Sequence, residues 1–96
     1  MVRTWGKLIK NNRIQKHETI STEYSPNSDD NLNLIVEQLC DKLDISRPLI
    51  LSKNIKEMIK FVQTKFFKDD FMETMSYDRF DLEILREDRK KRSDKR

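Results

Sequence analysis

The stretch Val2–Tyr24, VRTWGKLIKNNRIQKHETISTEY, decides how the rest of the chain is read. It is rich in Ile, Thr, Val and Trp, side chains that suit a pleated, half-buried surface. At its middle, Asn11-Asn12 supplies a two-residue turn, because Asn tolerates the positive φ that a type I′ turn demands. Val2–Lys10 and Arg13–Tyr24 are therefore expected to pair as a β-hairpin. The simplest register sets Ile9 opposite Ile14 and Thr4 opposite Thr19, with Trp5 on the face of Ile9 and His17 on the face of Gly6. It also sets Lys7 opposite Lys16, an unfavourable like-charge pair. A bulge at Gly6 would relieve it.

After the hairpin the apolar period changes from two to between three and four. Ser25-Pro26-Asn27-Ser28 is a turn and a helix start. Pro26 disfavours helix at Ser25, Asn27 or Ser28 can cap, and Asp29 and Asp30 complement the positive helix end. Leu32, Ile35, Val36, Leu39, Cys40 and Leu43 then form one apolar stripe, predicting a helix to about Leu43. Asp44–Leu51 is a connector. Ser52 is a cap candidate for a second helix over Lys53–Thr64, its stripe formed by Ile55, Met58, Ile59 and Val62. Lys53, Lys56, Glu57 and Lys60 are expected in solvent, and Phe61 lies beside the stripe. Residues 65–76 carry Phe66, Phe67 and Phe71, too many aromatics for a free loop. An ordered connection with its phenylalanines tucked in is the expectation. Tyr77–Leu85 alternates Phe80, Leu82 and Ile84 with Asp81 and Glu83, the pattern of a half-buried strand.

The fold class expected is α+β, in two layers: β-β-α-α-β, a three-stranded sheet with two helices packed on one face. The last strand must join the hairpin, because an isolated two-stranded hairpin is marginal. Residues 1–86 make one small domain and 87–96 a basic mobile tail.

The opening Trp5-Gly6-Lys7-Leu8-Ile9-Lys10-Asn11-Asn12-Arg13-Ile14, with Asp69-Asp70-Phe71 and Phe80-Asp81-Leu82-Glu83-Ile84, resembles a group of short, uncharacterised proteins of Gram-positive bacteria. The likeness extends to Leu85 and implies no activity, ligand or catalytic residue.

Composition bounds the chemistry. Hydrophobic residues make up 35% of the chain and charged residues 39%, so the core is thin and the surface heavily charged. Leu, Ile, Val and Phe still fill 26 of 96 positions, above the level of about 20% that marks an unfolded chain. With one Gly, one His, one Cys and no Ala, the chain lacks the parts for a phosphate-cradling loop, a structural zinc site or a nucleophile elbow. No cofactor, metal or small-molecule ligand is expected, and no enzymatic activity. A lone Cys40 fits a reducing compartment, and no apolar run approaches the roughly 20 residues that span a bilayer. A cytoplasmic protein without membrane contact follows as an expectation.

Charge runs in blocks: +5 over residues 1–16, −6 over 17–44, +5 over 45–68, −6 over 69–88 and +5 over 89–96. Mutual neutralisation within the fold accounts for this pattern better than a single basic face does.

Each candidate site has a plain alternative. His17 reads better as an exposed strand residue than as a catalytic base. Cys40, on the inner stripe, reads as a small buried hydrophobe rather than a reactive thiolate. The pairs Asp29-Asp30 and Asp69-Asp70, with Asp78 and Asp81, suit capping and surface charge better than a cation site. Trp5 fits a core anchor better than an interface residue, although tryptophan concentrates binding energy where it is exposed. The function expected is a small non-enzymatic protein-interaction module, with a protein partner or a second copy of itself meeting Trp5, Phe66, Phe67 and Phe71. The alternative is a nucleic-acid accessory protein, contacting phosphates through Lys7, Lys10, Arg13 and Lys16 and through Arg89, Lys90, Lys91 and Arg92 of the tail.

Overall fold

A computed structural model describes residues 1–87 of the chain. The basic tail expected over 87–96 falls, from residue 88 on, outside the described residues.

The hairpin forms as its sequence demands. Strands β1 (Val2–Lys10) and β2 (Arg13–Thr22) are antiparallel, and both turn asparagines take positive φ, 55° at Asn11 and 63° at Asn12. Ile9 faces Ile14, but the next pair is Leu8 with Lys16, leaving Gln15 without an opposite residue. This bulge removes the clash of Lys7 with Lys16 and lies in β2, not at Gly6. Beyond it Lys7 faces His17, Gly6 faces Glu18 and Thr4 faces Ile20. A one-residue slip exchanges the faces of a strand, so His17 stands with Lys7 and Trp5 rather than with Gly6.

Helix α1 (Asp29–Leu43) is capped by the Ser28 hydroxyl, which accepts the Asn31 N–H at 3.3 Å. It ends at Asp44 in the left-handed region, and the Ile45 N–H closes on the Cys40 carbonyl at 3.0 Å. All six residues of its stripe are buried. Burying such side chains stabilises the fold by about 1.5–3 kcal/mol each.

Helix α2 (Ser52–Phe61) is shorter than its periodicity suggests and lies differently. Ser52 is its first helical residue, and the cap comes from Asn54, whose Oδ1 accepts the Leu51 N–H at 2.9 Å. Asn54 and Met58 are buried and Ile55 is half-buried, while Ile59 is 61% and Val62 48% exposed. Val62 takes φ 53° and turns the chain directly into a strand.

That strand, β3 (Gln63–Phe67), occupies part of the segment expected to be a connection. With β4 (Arg79–Glu87) the sheet has four strands rather than three, in the order β2-β1-β4-β3, and every neighbouring pair is antiparallel. The order along the chain is therefore β-β-α-α-β-β. The last strand does join the hairpin, through β1, as expected. A 3-10 turn at Lys68–Asp70 follows β3, and Asp70 Oδ2 holds the Phe67 N–H at 2.9 Å.

Both helices cover one face of the sheet. Leu8 with Phe80, Gly6 with Leu82, and Phe66 with Phe80 point into it. Phe66 and Phe80 stack at 5.9 Å between ring centroids. Gly6 is required by close approach: a Cβ there would lie 2.9 Å from Phe80 Cε1 and 3.2 Å from Leu39 Cδ1. Trp5 is not in this core. It lies half-buried on the opposite face, because the strand turns Val2, Thr4, Gly6 and Leu8 toward the helices. Phe66 and Phe71 are buried in the core, which removes them from any surface role, whereas Phe67 is 50% exposed.

Candidate interaction surface

Two surfaces gather residues of chemical interest: the sheet face that no helix covers, and the border where α2 meets β3. On the open face, cross-strand pairing places His17, Lys7, Asp81 and Lys65 in one row and Thr19, Trp5, Glu83 and Gln63 in the next. Trp5 Nε1 donates to His17 Nδ1 at 3.1 Å, with the two rings edge to face. Lys7 Nζ sits 4.2 Å from the indole centroid and 3.3 Å from Glu83 Oε1. Arg79 pairs with Asp81 at 2.9 Å. The indole and the charged groups around it are thus engaged with one another. His17 has an indole, not a carboxylate or a nucleophile, as its hydrogen-bond partner.

The remaining sequence candidates have structural employment. Cys40 is fully buried, and removal from water pushes its thiol up to about 12; the Arg47 charge pulls the other way and Asp41 adds to the rise. Asp29 and Asp30 lie in the first turn of α1. Asp78 Oδ2 accepts the Asn11 N–H at 2.9 Å. Among the described residues, no three of His, Cys, Asp and Glu gather as a metal ion would need. No described helix is long and apolar enough to cross a membrane.

The four bases of the hairpin do not share a face. Lys7 lies on the open face, engaged as above. Lys16 pairs across from the inward Leu8 and reaches the Leu43 carbonyl at 3.5 Å. Lys10 and Arg13 flank the turn at the tip. Arg89, Lys90, Lys91 and Arg92 lie outside the described residues.

The border of α2 and β3 is different in kind. A polar latch joins the two elements: Asn54 Nδ2 donates to Thr64 Oγ1 at 2.9 Å, and that hydroxyl donates to Glu57 Oε1 at 2.5 Å. Beside the latch runs an open groove lined by Lys53, Glu57 and Phe61 of α2 and by Gln63, Thr64, Lys65 and Phe67 of β3. Phe61 is 56% and Phe67 50% exposed, and both line this groove at the sheet's edge. Lys53, Lys56, Lys65 and Lys68 make no ion pair among the described residues. Lys53 and Lys65 outnumber Glu57 in the groove's lining, which is therefore net positive by one charge. Of this set, sequence reasoning singled out Phe67 as a contact residue. Phe61 was marked only by standing off the apolar stripe, and Lys53 and Lys65 carried no signal beyond a charge block.

No family model, curated protein or solved structure matches the chain, so the reading of these surfaces rests on their own geometry.

Proposed function

We propose that this chain is a small non-enzymatic protein-interaction module whose contact surface is the β3 edge together with the end of α2. The observation that supports this reading most is the groove lined by Phe61 and Phe67, 56% and 50% exposed, beside a strand with one unpaired side. Single exposed apolar residues are ordinary, but two exposed aromatic rings flanking a free strand edge are what an interface would cover. The open sheet face is a poorer choice, since Trp5, Lys7, Glu83 and His17 already satisfy one another.

A photo-crosslinking phenylalanine analogue at Phe67 tests the reading in the native cells. A discrete protein adduct is expected at Phe67. None is expected for the same group at Leu34, which is exposed on α1 away from the groove. Equal capture at both positions, or none at either, would contradict the proposal.

A further inference from the structure

We infer that the β3 edge takes an extended, acidic segment of another protein as a fifth strand. The inference rests on the interaction-module reading and specifies its partner. The backbone is arranged for strand addition. The Val62 carbonyl accepts the Ile84 N–H at 2.9 Å, so Val62 turns toward β4. In an antiparallel pair this alternates along the strand. Thr64 and Phe66 therefore also turn to β4, and Gln63 and Lys65 present N–H and C=O to the free side. The Phe67 N–H is already held by Asp70, which ends the available ladder.

Side chains favour the same occupant. An added strand projects alternate side chains to the two sheet faces. On the open face it meets Phe67 and Lys65; on the helix side it meets Phe61 and Lys53. The open face offers one aromatic ring and one lysine; the helix side offers one ring, Lys53 and the Glu57 carboxylate, and the net positive lining favours acidic side chains on the incoming strand, Lys65 most directly. Base stacking on a single aromatic platform does not fit this arrangement, because Phe61 and Phe67 lie on opposite sides of the edge. A second copy fits poorly too. β3 paired with itself over its full length sets Lys65 directly opposite Lys65, and like charges in that position repel.

The test is an amide NMR titration of the full chain with an acetylated peptide alternating valine and glutamate. Saturable shifts centred on the Gln63 and Lys65 amides are expected. Lys65→Glu and Lys53→Glu should each weaken binding about tenfold, a loss of about 1.4 kcal/mol. A peptide alternating valine and lysine should bind the doubly reversed variant in place of the original. Equal binding of both peptides to the unaltered chain, or shifts centred on β2, would overturn the inference. So would displacement of the peptide by a thymidine oligonucleotide of about 15 nucleotides, a length an extended basic groove can track. If the Phe67 crosslink captures a protein while the acidic peptide does not bind, this inference fails and the module reading stands. If neither occurs, both fail.

Discussion

Helices α1 and α2 carry apolar residues at the same spacing of three and four, yet only α1 delivers its stripe to the core. In α1, six apolar side chains are buried against the sheet. In α2, Met58 is the one apolar side chain fully buried; Asn54 joins it, and Ile59 and Phe61 stay in solvent. Met58 and the half-buried Ile55 pack α2 on the core, and the latch from Asn54 through Thr64 to Glu57 adds a polar tie to β3. Amphipathic spacing therefore reports that a helix has a greasy side, not that its own chain covers that side.

The sharpest way to break this contrast is a matched pair of truncations. Leu39→Ala should destabilise the fold by about 3 kcal/mol, read from the denaturant midpoint, because it opens a cavity beside Phe80 and Gly6. Ile59→Ala should stay within about 0.5 kcal/mol. Similar losses from both would mean that α2 is packed like α1. Next in size is the latch. Asn54→Ala leaves the Leu51 N–H without its cap and the Thr64 hydroxyl without its donor, a loss of about 2 kcal/mol expected in the same assay. A negligible change would show that Met58 and Ile55 alone hold α2 in place.

Cys40 probes the burial of α1 by pH. Its thiol is raised from 9.0 to about 12 in the fold, so between those values the native state keeps a proton that the unfolded chain has lost. Its contribution is fully present below pH 9.0 and is lost as pH rises toward 12. Replacing Cys40 with Val should flatten the alkaline decline in stability by up to about 1.4 kcal/mol per pH unit over that window. An unchanged slope would mean that water reaches the Cys40 thiol within the folded chain. The smallest effect concerns the end of α2. Val62 is β-branched at φ 53°, a region costly for such residues, so Val62→Gly should raise stability by about 1 kcal/mol. A loss instead would mean that the valine side chain, not the turn, fastens this corner.

The contrast also explains what was legible in the sequence. Helix α1, the Asn11-Asn12 turn and the strand through Phe80, Leu82 and Ile84 were readable because each follows a local rule that the fold then uses. Strand β3 was not. Only Thr64 and Phe66 point inward, one of them polar and bonded to the latch, and the strand follows α2 without a glycine to mark the break. Trp5 fits a core anchor by its bulk, yet it lies half-buried on the face away from the helices. The fold instead turns Thr4 and Gly6 inward, and Gly6 signals the closeness of Leu39 and Phe80 rather than a bulge. The bulge at Gln15 then moved His17 across the sheet, a shift that no pattern in β2 announces. At the candidate surface, Phe67 was identifiable as an aromatic. The value of Lys65 and Phe61 depends on a strand edge that exists only once β3 is recognised.

The central position of β4 has a consequence for how the molecule comes into being. It follows the other strands along the chain yet lies between β1 and β3. During synthesis, the hairpin and both helices leave the ribosome before the piece that unites them, and until then the inner sides of Leu8 and Phe66 lack the neighbour that seals them. Tertiary structure should therefore appear in one late step, with a released chain ending at Tyr77 open to protease and the full chain resistant. Stepwise protection beginning at the hairpin would show that the halves mature independently.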